Sequence, residues 1–309
     1  MVSPNCSLRK RYDKRCALVL PMHMIARYRS LPHGQVPNFL YGTAWKEDAT
    51  AALVTQAITA GFRGIDTANQ RKHYHEAGVG QAVQAALTSG QVRRAELFLQ
   101  SKFTFRDGQD HRLPYDPNAA VAKQVTQSFA RSCEHLGVEY LDSLVLHGPS
   151  QSGTLGAADH EAWRAMEQLV LAGSVGVIGI SNVAATQLRE LLQFARVAPT
   201  FVQNRCYASR GWDAAIRTIC DDAGVIYQGF SLLTANRAVL AAPAVQACAQ
   251  KHGRSPEQIV FRFALQTGML PLTGSSDISH LRADLACFDF ELTAAEAEVV
   301  AAAAIAPVA

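Results

Sequence analysis

No stretch of this chain approaches the ~20 consecutive apolar residues that a membrane-spanning helix requires, so no membrane partner is expected. Its seven cysteines (Cys6, Cys16, Cys133, Cys206, Cys220, Cys248 and Cys287) include no C-x-x-C pair. An odd, scattered set argues against a disulfide framework and against a zinc site. No metal is therefore expected, and a reducing, cytoplasmic setting fits best. An excess of either charge is missing too: 29 Lys and Arg against 26 Asp and Glu leave a net charge of +3. Much of the basic excess lies in Arg9, Lys10, Arg11, Lys14 and Arg15 rather than along a helix, which argues against nucleic acid as a partner. The G-x-G-x-x-G dinucleotide fingerprint is missing after the first strand. Gly176-x-x-Gly179 sits inside a strand and is better explained by close backbone packing.

What is present is globular in balance, with 49% apolar and 18% charged residues over 309 positions. Basic residues followed by Cys16 to Leu20 resemble a secretory signal, but Pro21 and His23 cut the apolar run short. Met22 and Met24 are alternative starts. Residues 1–35 are read as an N-terminal extension, disordered or foreign to the natural start, with no site residue in it.

From Asn38 onward short apolar runs alternate with amphipathic segments. Strands are expected near Asn38 to Gly42, Phe62 to Asp66, Glu96 to Lys102, Leu141 to Leu146, Val175 to Ser181, Thr200 to Asn204, Val225 to Phe230 and Met269 to Thr273. Strand-then-helix units repeated eight times predict a single-domain α/β protein, a closed (β/α)8 TIM barrel spanning residues 36–309. Asp48 precedes a helix carrying Leu53, Ala57 and Ile58, with Gly61 beyond its end. Ser255-Pro256-Glu257-Gln258 and Thr293 to Glu296 read as capping boxes. Phe103 to Asn118 is the longest connection. Leu232 to Pro243, ahead of a helix starting after Ser255, is a second candidate lid.

The strand ends carry the chemistry. Asp66, Lys102, His147, Asn182, Gln203 and Phe230 each lie at or within one residue of the end of a predicted strand, and a parallel barrel aims such positions at one mouth. In GFRGIDTANQRKHYHEAGVG, Asp66 closes its strand and Tyr74 follows before the next helix. A phenol with a pKa near ~10 hands on its proton well only if its anion is stabilised. A lysine beside the phenol oxygen would lower the Tyr74 pKa, a carboxylate would hold that lysine, and an imidazole would orient the substrate oxygen.

These motifs together resemble the aldo-keto reductase family: YGTAW on the first strand, FRGIDTA with the following tyrosine and E-x-x-V-G, the SKF lysine, the LHGP histidine, GISN, VQN and PLTGSSDISHLRADL, covering Phe39 to Glu296. The resemblance implies a (β/α)8 barrel that reduces a small-molecule carbonyl substrate with NADPH, NADH remaining open. It implies Asp66, Tyr74, Lys102 and His147 as the catalytic set, with Trp45 and His147 at the substrate pocket. Cofactor contacts are implied for Gly42, Thr43, Asp66, Ser181, Asn182, Gln203, Phe230, Ser231, Leu232, Gly274, Ser275, Ser276, His280 and Asp284. Phe230 would stack on the nicotinamide where a tyrosine is more common. Gly274-Ser275-Ser276 would offer backbone N–H groups to a phosphate at a helix start.

Two departures stand out. Members of the family usually place the tyrosine nearer the aspartate, where Arg71 stands here, so QRKHYHE carries an insertion, and His73 and His75 stay open as donors. Members also commonly have lysine, arginine and asparagine where Gly274, His280 and Asp284 stand, which weakens the expected preference for NADPH. A regulatory barrel that binds cofactor without turnover, and net oxidation of a sugar or polyol, remain alternatives. The chain ends soon after its last helix, so a rather open pocket is expected.

Overall fold

The computed structural model describes residues 25–31 and 34–303. The basic cluster, Cys16 to Leu20 and the alternative starts lie outside the described residues. An antiparallel hairpin comes first, β1 (Tyr28–Leu31) and β2 (Gly34–Pro37). Eight parallel strands then close a barrel: β3 (Leu40–Gly42), β4 (Gly64–Asp66), β5 (Phe98–Phe103), β6 (Leu141–Leu146), β7 (Val175–Ser181), β8 (Phe201–Arg205), β9 (Ile226–Phe230) and β10 (Leu270–Thr273). β10 pairs with both β3 and β9 and seals the ring. Every strand expected from the sequence is present. The hairpin was not expected.

Around the barrel run α1 (Thr50–Ala60), α2 (Glu76–Thr88), α3 (Val121–Leu136), α4 (Ala157–Leu171), α5 (Ala185–Phe194), α6 (Ala214–Ala223), α7 (Arg237–Ala241), α8 (Pro243–His252), α9 (Pro256–Gln266), α10 (Ile278–Leu285) and α11 (Ala294–Ala302). Gly61 ends α1 with φ 114°, a left-handed conformation that suits glycine. Both capping boxes form: the Ser255 hydroxyl accepts from the Gln258 N–H at 3.3 Å, and the Thr293 hydroxyl from the Glu296 N–H at 3.3 Å. The connection from Leu232 is not a bare loop, because α7 and α8 occupy it before α9 starts. Pro243 begins a helix there, where its missing N–H costs nothing.

Side chains on a strand alternate between its faces, and the barrel interior follows from that period. The lower interior is apolar: Leu40, Phe98, Val177, Phe201, Leu270 and Leu272 pack with Val36 of the hairpin, which plugs this end. Two residues further along, the same inward faces carry Asp66, Gln100, Ser143, Gln203 and Gln228, all buried. Register aligns them, with Asp66 level with Gly42 and Gln100, and Gln203 level with Ser181 and Gln228. The close packing expected of the β7 glycines holds. A Cβ on Gly179 would stand 2.7 Å from the Phe201 carbonyl oxygen, and one on Gly176 would overlap the Tyr140 hydroxyl.

Candidate active site

Asp66, Lys102, Tyr74 and His147 meet at the C-terminal mouth of the barrel. Lys102 Nζ lies 2.7 Å from each carboxylate oxygen of Asp66 and donates to the Thr67 carbonyl at 2.8 Å. Both partners of this pair are buried. Burial lowers the Lys102 pKa, while Asp66 pulls it back up. Beneath the pair, Gln100 and Gln203 donate to Asp66 Oδ1 at 2.7 and 3.0 Å, and Gln228 and Ser143 complete an amide and hydroxyl network. The carboxylate is thereby compensated from several sides.

The insertion before Tyr74 is accommodated as a turn. After Asp66 the chain stays clipped to β5, with Thr67 and Asn69 donating to the Gln100 and Lys102 carbonyls. His73 N–H and Tyr74 N–H then both donate to the Gln70 carbonyl, at 3.2 and 3.0 Å, which returns Tyr74 to the mouth. Its ring centre is 5.1 Å from Lys102 Nζ and 5.8 Å from the His147 ring. His75 contacts the Glu47 carbonyl instead, and His73 packs against Trp45 with ring centres 4.0 Å apart and planes tilted by 37°.

The expected lowering of the Tyr74 pKa is not found. All three Lys102 protons are spent on Asp66 and Thr67, and the phenol is pushed above its ordinary value, first by burial and then by the Asp66 carboxylate. His147 is pushed down to about 3, by burial first and then by Lys102 and His73, so its imidazole is neutral. Its Nδ1 lies 2.7 Å from the Thr104 hydroxyl.

The other expected site residues fall into three groups. At the mouth beside the catalytic candidates, Ser181 donates to the Gln203 carbonyl, and Asn182 donates to the His147 carbonyl at 2.7 Å. Asn182 and Ser231 both hold left-handed φ, 51° and 57°, strain of a kind that gathers at functional sites. Phe230 is half-buried there, with the Arg205 guanidinium 5.6 Å over its ring. Leu232 is in the core, so only its backbone is left for a ligand. On the first loop, Thr43 is buried and donates to the Asp66 carbonyl through N–H and hydroxyl, while Trp45 is 68% exposed.

The third group lies around the start of α10. The N–H groups after Gly274-Ser275-Ser276 are not free at the start of α10, because the Asp277 carboxylate caps Ser279 and His280 at 2.6 and 3.3 Å. A side-chain anion already occupies that end. Asp284 is turned inward, accepting from the Thr273 hydroxyl at 2.7 Å, and burial pushes its carboxyl up to about 6. His280 is exposed.

Sequence reasoning missed Gln100, Gln228, Thr104 and Lys46. Gln100 and Thr104 flank Lys102 at the strand period of two, and that spacing could have flagged them. Lys46 carried no such signal. Its ammonium reaches across to the Gly274 carbonyl, and a Cβ on Gly274 would point to within 3.8 Å of it. Away from the mouth, Cys248, His252 and Glu296 come together, but the Glu296 oxygens already accept from Thr293 and Lys251.

This arrangement has relatives. Residues 38–305 match the Aldo/keto reductase family. The chain is 31% identical over 262 residues to an aldo-keto reductase of Mycolicibacterium vanbaalenii, covering 84% of this chain and 85% of that protein. It is 30% identical over 261 residues to the uncharacterized oxidoreductase YtbE of Bacillus subtilis, covering 84% and 86%. An aldo/keto reductase crystal structure from Brucella melitensis shares the fold, with a TM-score of 0.77 at 24% identity over 91% of this chain and 99% of that one. With a closed eight-stranded barrel and a match running nearly its whole length, the chain belongs to the aldo/keto reductase family of oxidoreductases.

Proposed function

We propose that this protein reduces aldehydes or ketones to alcohols with a nicotinamide cofactor, using Tyr74 as proton donor and Lys102, Asp66 and His147 as its supports. The observation that carries the reading is the buried Lys102–Asp66 pair lying under the Tyr74 ring and beside a neutral His147.

The chain's residues fit the nicotinamide end of such a cofactor. Gln203 spends its amide protons on Asp66 and Gln228, and its Oε1 accepts no hydrogen bond from the described residues. Asn182 likewise keeps Oδ1 open. Two acceptors near a half-buried aromatic face suit a planar ring bearing a carboxamide. At the phosphate end Lys46 is a cation within reach of Gly274, whereas Asp277 opposes an added anion. NADPH is the first cofactor to test, with NADH not far behind.

When bound, the nicotinamide supplies hydride to the carbonyl carbon. His147 holds the carbonyl oxygen by a hydrogen bond, and Tyr74 gives the developing alkoxide its proton. A phenol raised by burial is a poor acid, so Lys102 must turn toward its oxygen for the transfer. The Thr67 carbonyl is the uncharged acceptor it can release most cheaply. Trp45 and the loop from Phe103 to Asn118 wall the substrate side, and they set which carbonyls enter.

The test is turnover of purified protein with NADPH and a panel of aldehydes, beside Tyr74→Phe. We expect Tyr74→Phe to keep cofactor binding, seen by fluorescence quenching, and to lose nearly all turnover. Wild-type rates in the variant would refute the assignment. A regulatory barrel is the second reading, favoured by the full commitment of the Lys102 protons elsewhere. It predicts quenching without turnover in the wild type. Alcohols with NADP would reveal net oxidation of a sugar or polyol.

A further inference from the structure

Thr104 follows Lys102 by two residues and is 5% exposed. Its backbone is pinned from the long loop, its carbonyl accepting from the Tyr115 hydroxyl at 2.8 Å and from Gln109 at 3.3 Å. Its methyl faces Gly108, where an added Cβ would stand only 2.7 Å away. The rotamer so fixed aims the hydroxyl at His147 Nδ1, 2.7 Å away, its one hydrogen-bond partner among the described residues. The His147 backbone is held as well, its N–H donating to the Phe103 carbonyl at 2.9 Å and its carbonyl accepting from Asn182 at 2.7 Å.

We propose that Thr104 is a positioning residue: its hydroxyl donates to His147 Nδ1 and fixes the imidazole in the tautomer that carries its proton on Nε2, aimed at the substrate oxygen. The inference rests on the reductase reading above. The direction of the hydrogen bond follows from what each alternative leaves unpaired. If Nδ1–H donated to Thr104, the hydroxyl proton would be buried without an acceptor and would carry its full desolvation penalty. An unfilled hydroxyl lone pair costs far less. The reverse tautomer would also turn the Nε2 lone pair toward a carbonyl oxygen whose negative charge grows as hydride arrives, which repels where attraction is needed. Burial, and after it Lys102 and His73, disfavours the doubly protonated ring, which would escape the choice. Which nitrogen bears the proton is set by the partner of the other one.

The experiment reads the tautomer directly and then its effect on rate. Long-range 15N NMR of the folded protein, with His147→Gln identifying the resonance, should show Nδ1 unprotonated and Nε2 protonated in the wild type and in Thr104→Ser. In Thr104→Val the two tautomers should mix. Loss of an aligned donor to a developing oxyanion costs roughly 100-fold or more in kcat, so partial misalignment in Thr104→Val should lower kcat by about 10- to 100-fold. KM should change little, and Thr104→Ser should recover most of the rate. A protonated Nδ1 in the wild type overturns the proposal. So does a Thr104→Val protein with unchanged tautomer and kcat, or a rate loss that serine fails to rescue. Absence of turnover in the wild type would sink the reductase reading instead, and the NMR result would still decide the tautomer.

Discussion

Lys102 gives its protons to Asp66 and Thr67, and that commitment governs the chemistry available to Tyr74. A buried ion pair of this kind adds little net stability, but removing one partner strands the other. Asp66→Ala should therefore destabilise the protein by about 3–5 kcal/mol. The double variant Asp66→Leu with Lys102→Met should recover most of that loss while abolishing activity. Urea denaturation of the three proteins checks this, and a double variant as unstable as the single one would show that the pair is not the cause. The Gln100, Gln203 and Gln228 network limits the recovery, since two of its amides would lose an acceptor on Asp66.

At the scale of elements, α2 begins two residues after Tyr74 and anchors the chain that leaves it, and its seat depends on one glycine. A Cβ on Gly80 would overlap the backbone carbonyl of His135 near the end of α3. The contact is with backbone, so no rotamer change relieves it. Nearby, the buried Glu76 accepts from the Ser101 hydroxyl and contacts His135 Nδ1 at 3.0 Å, tying α2 to β5 and α3. Gly80→Ala should cost about 1–3 kcal/mol through overpacking and should lower kcat more than cofactor affinity, because α2 shifts with Tyr74 attached. Chemical denaturation and steady-state kinetics of the variant test both parts. Unchanged stability would mean that α2 and α3 can separate freely.

Across the whole molecule, two groups whose pKa values are shifted by burial give opposite responses to acid. His147 is depressed from 6.5 to about 3, so between these values the unfolded chain binds more protons and its contribution to stability falls as pH drops. Asp284 is raised from 3.8 to about 6, so in that window the folded state binds more protons and its contribution falls as pH rises. Replacing Asp284 by Asn should leave stability unchanged below about pH 4 and raise it at pH 7, on the order of 3 kcal/mol. Thermal unfolding of both proteins across that range tests the sign. A variant less stable than wild type at pH 7 would show that the Asp284 carboxylate is held by its surroundings rather than burdened by burial. The barrel itself was legible in the chain, because parallel strands buried on both faces read as short apolar runs separated by amphipathic helices. The hairpin β1–β2 was not, since strands of four residues, one with no buried residue and one buried only at Val36 and Pro37, are too short to carry a periodic signal. Among site residues, the identities at strand ends already mark Asp66, Lys102 and His147 as neighbours, because a closed barrel points all such ends at one mouth. Only the tertiary structure decided that the Tyr74 insertion folds back over Lys102, that Asp277 caps α10, and that Thr104 meets His147. Each of these depends on contacts between segments far apart or on the path of a loop, and neither composition nor period encodes that path.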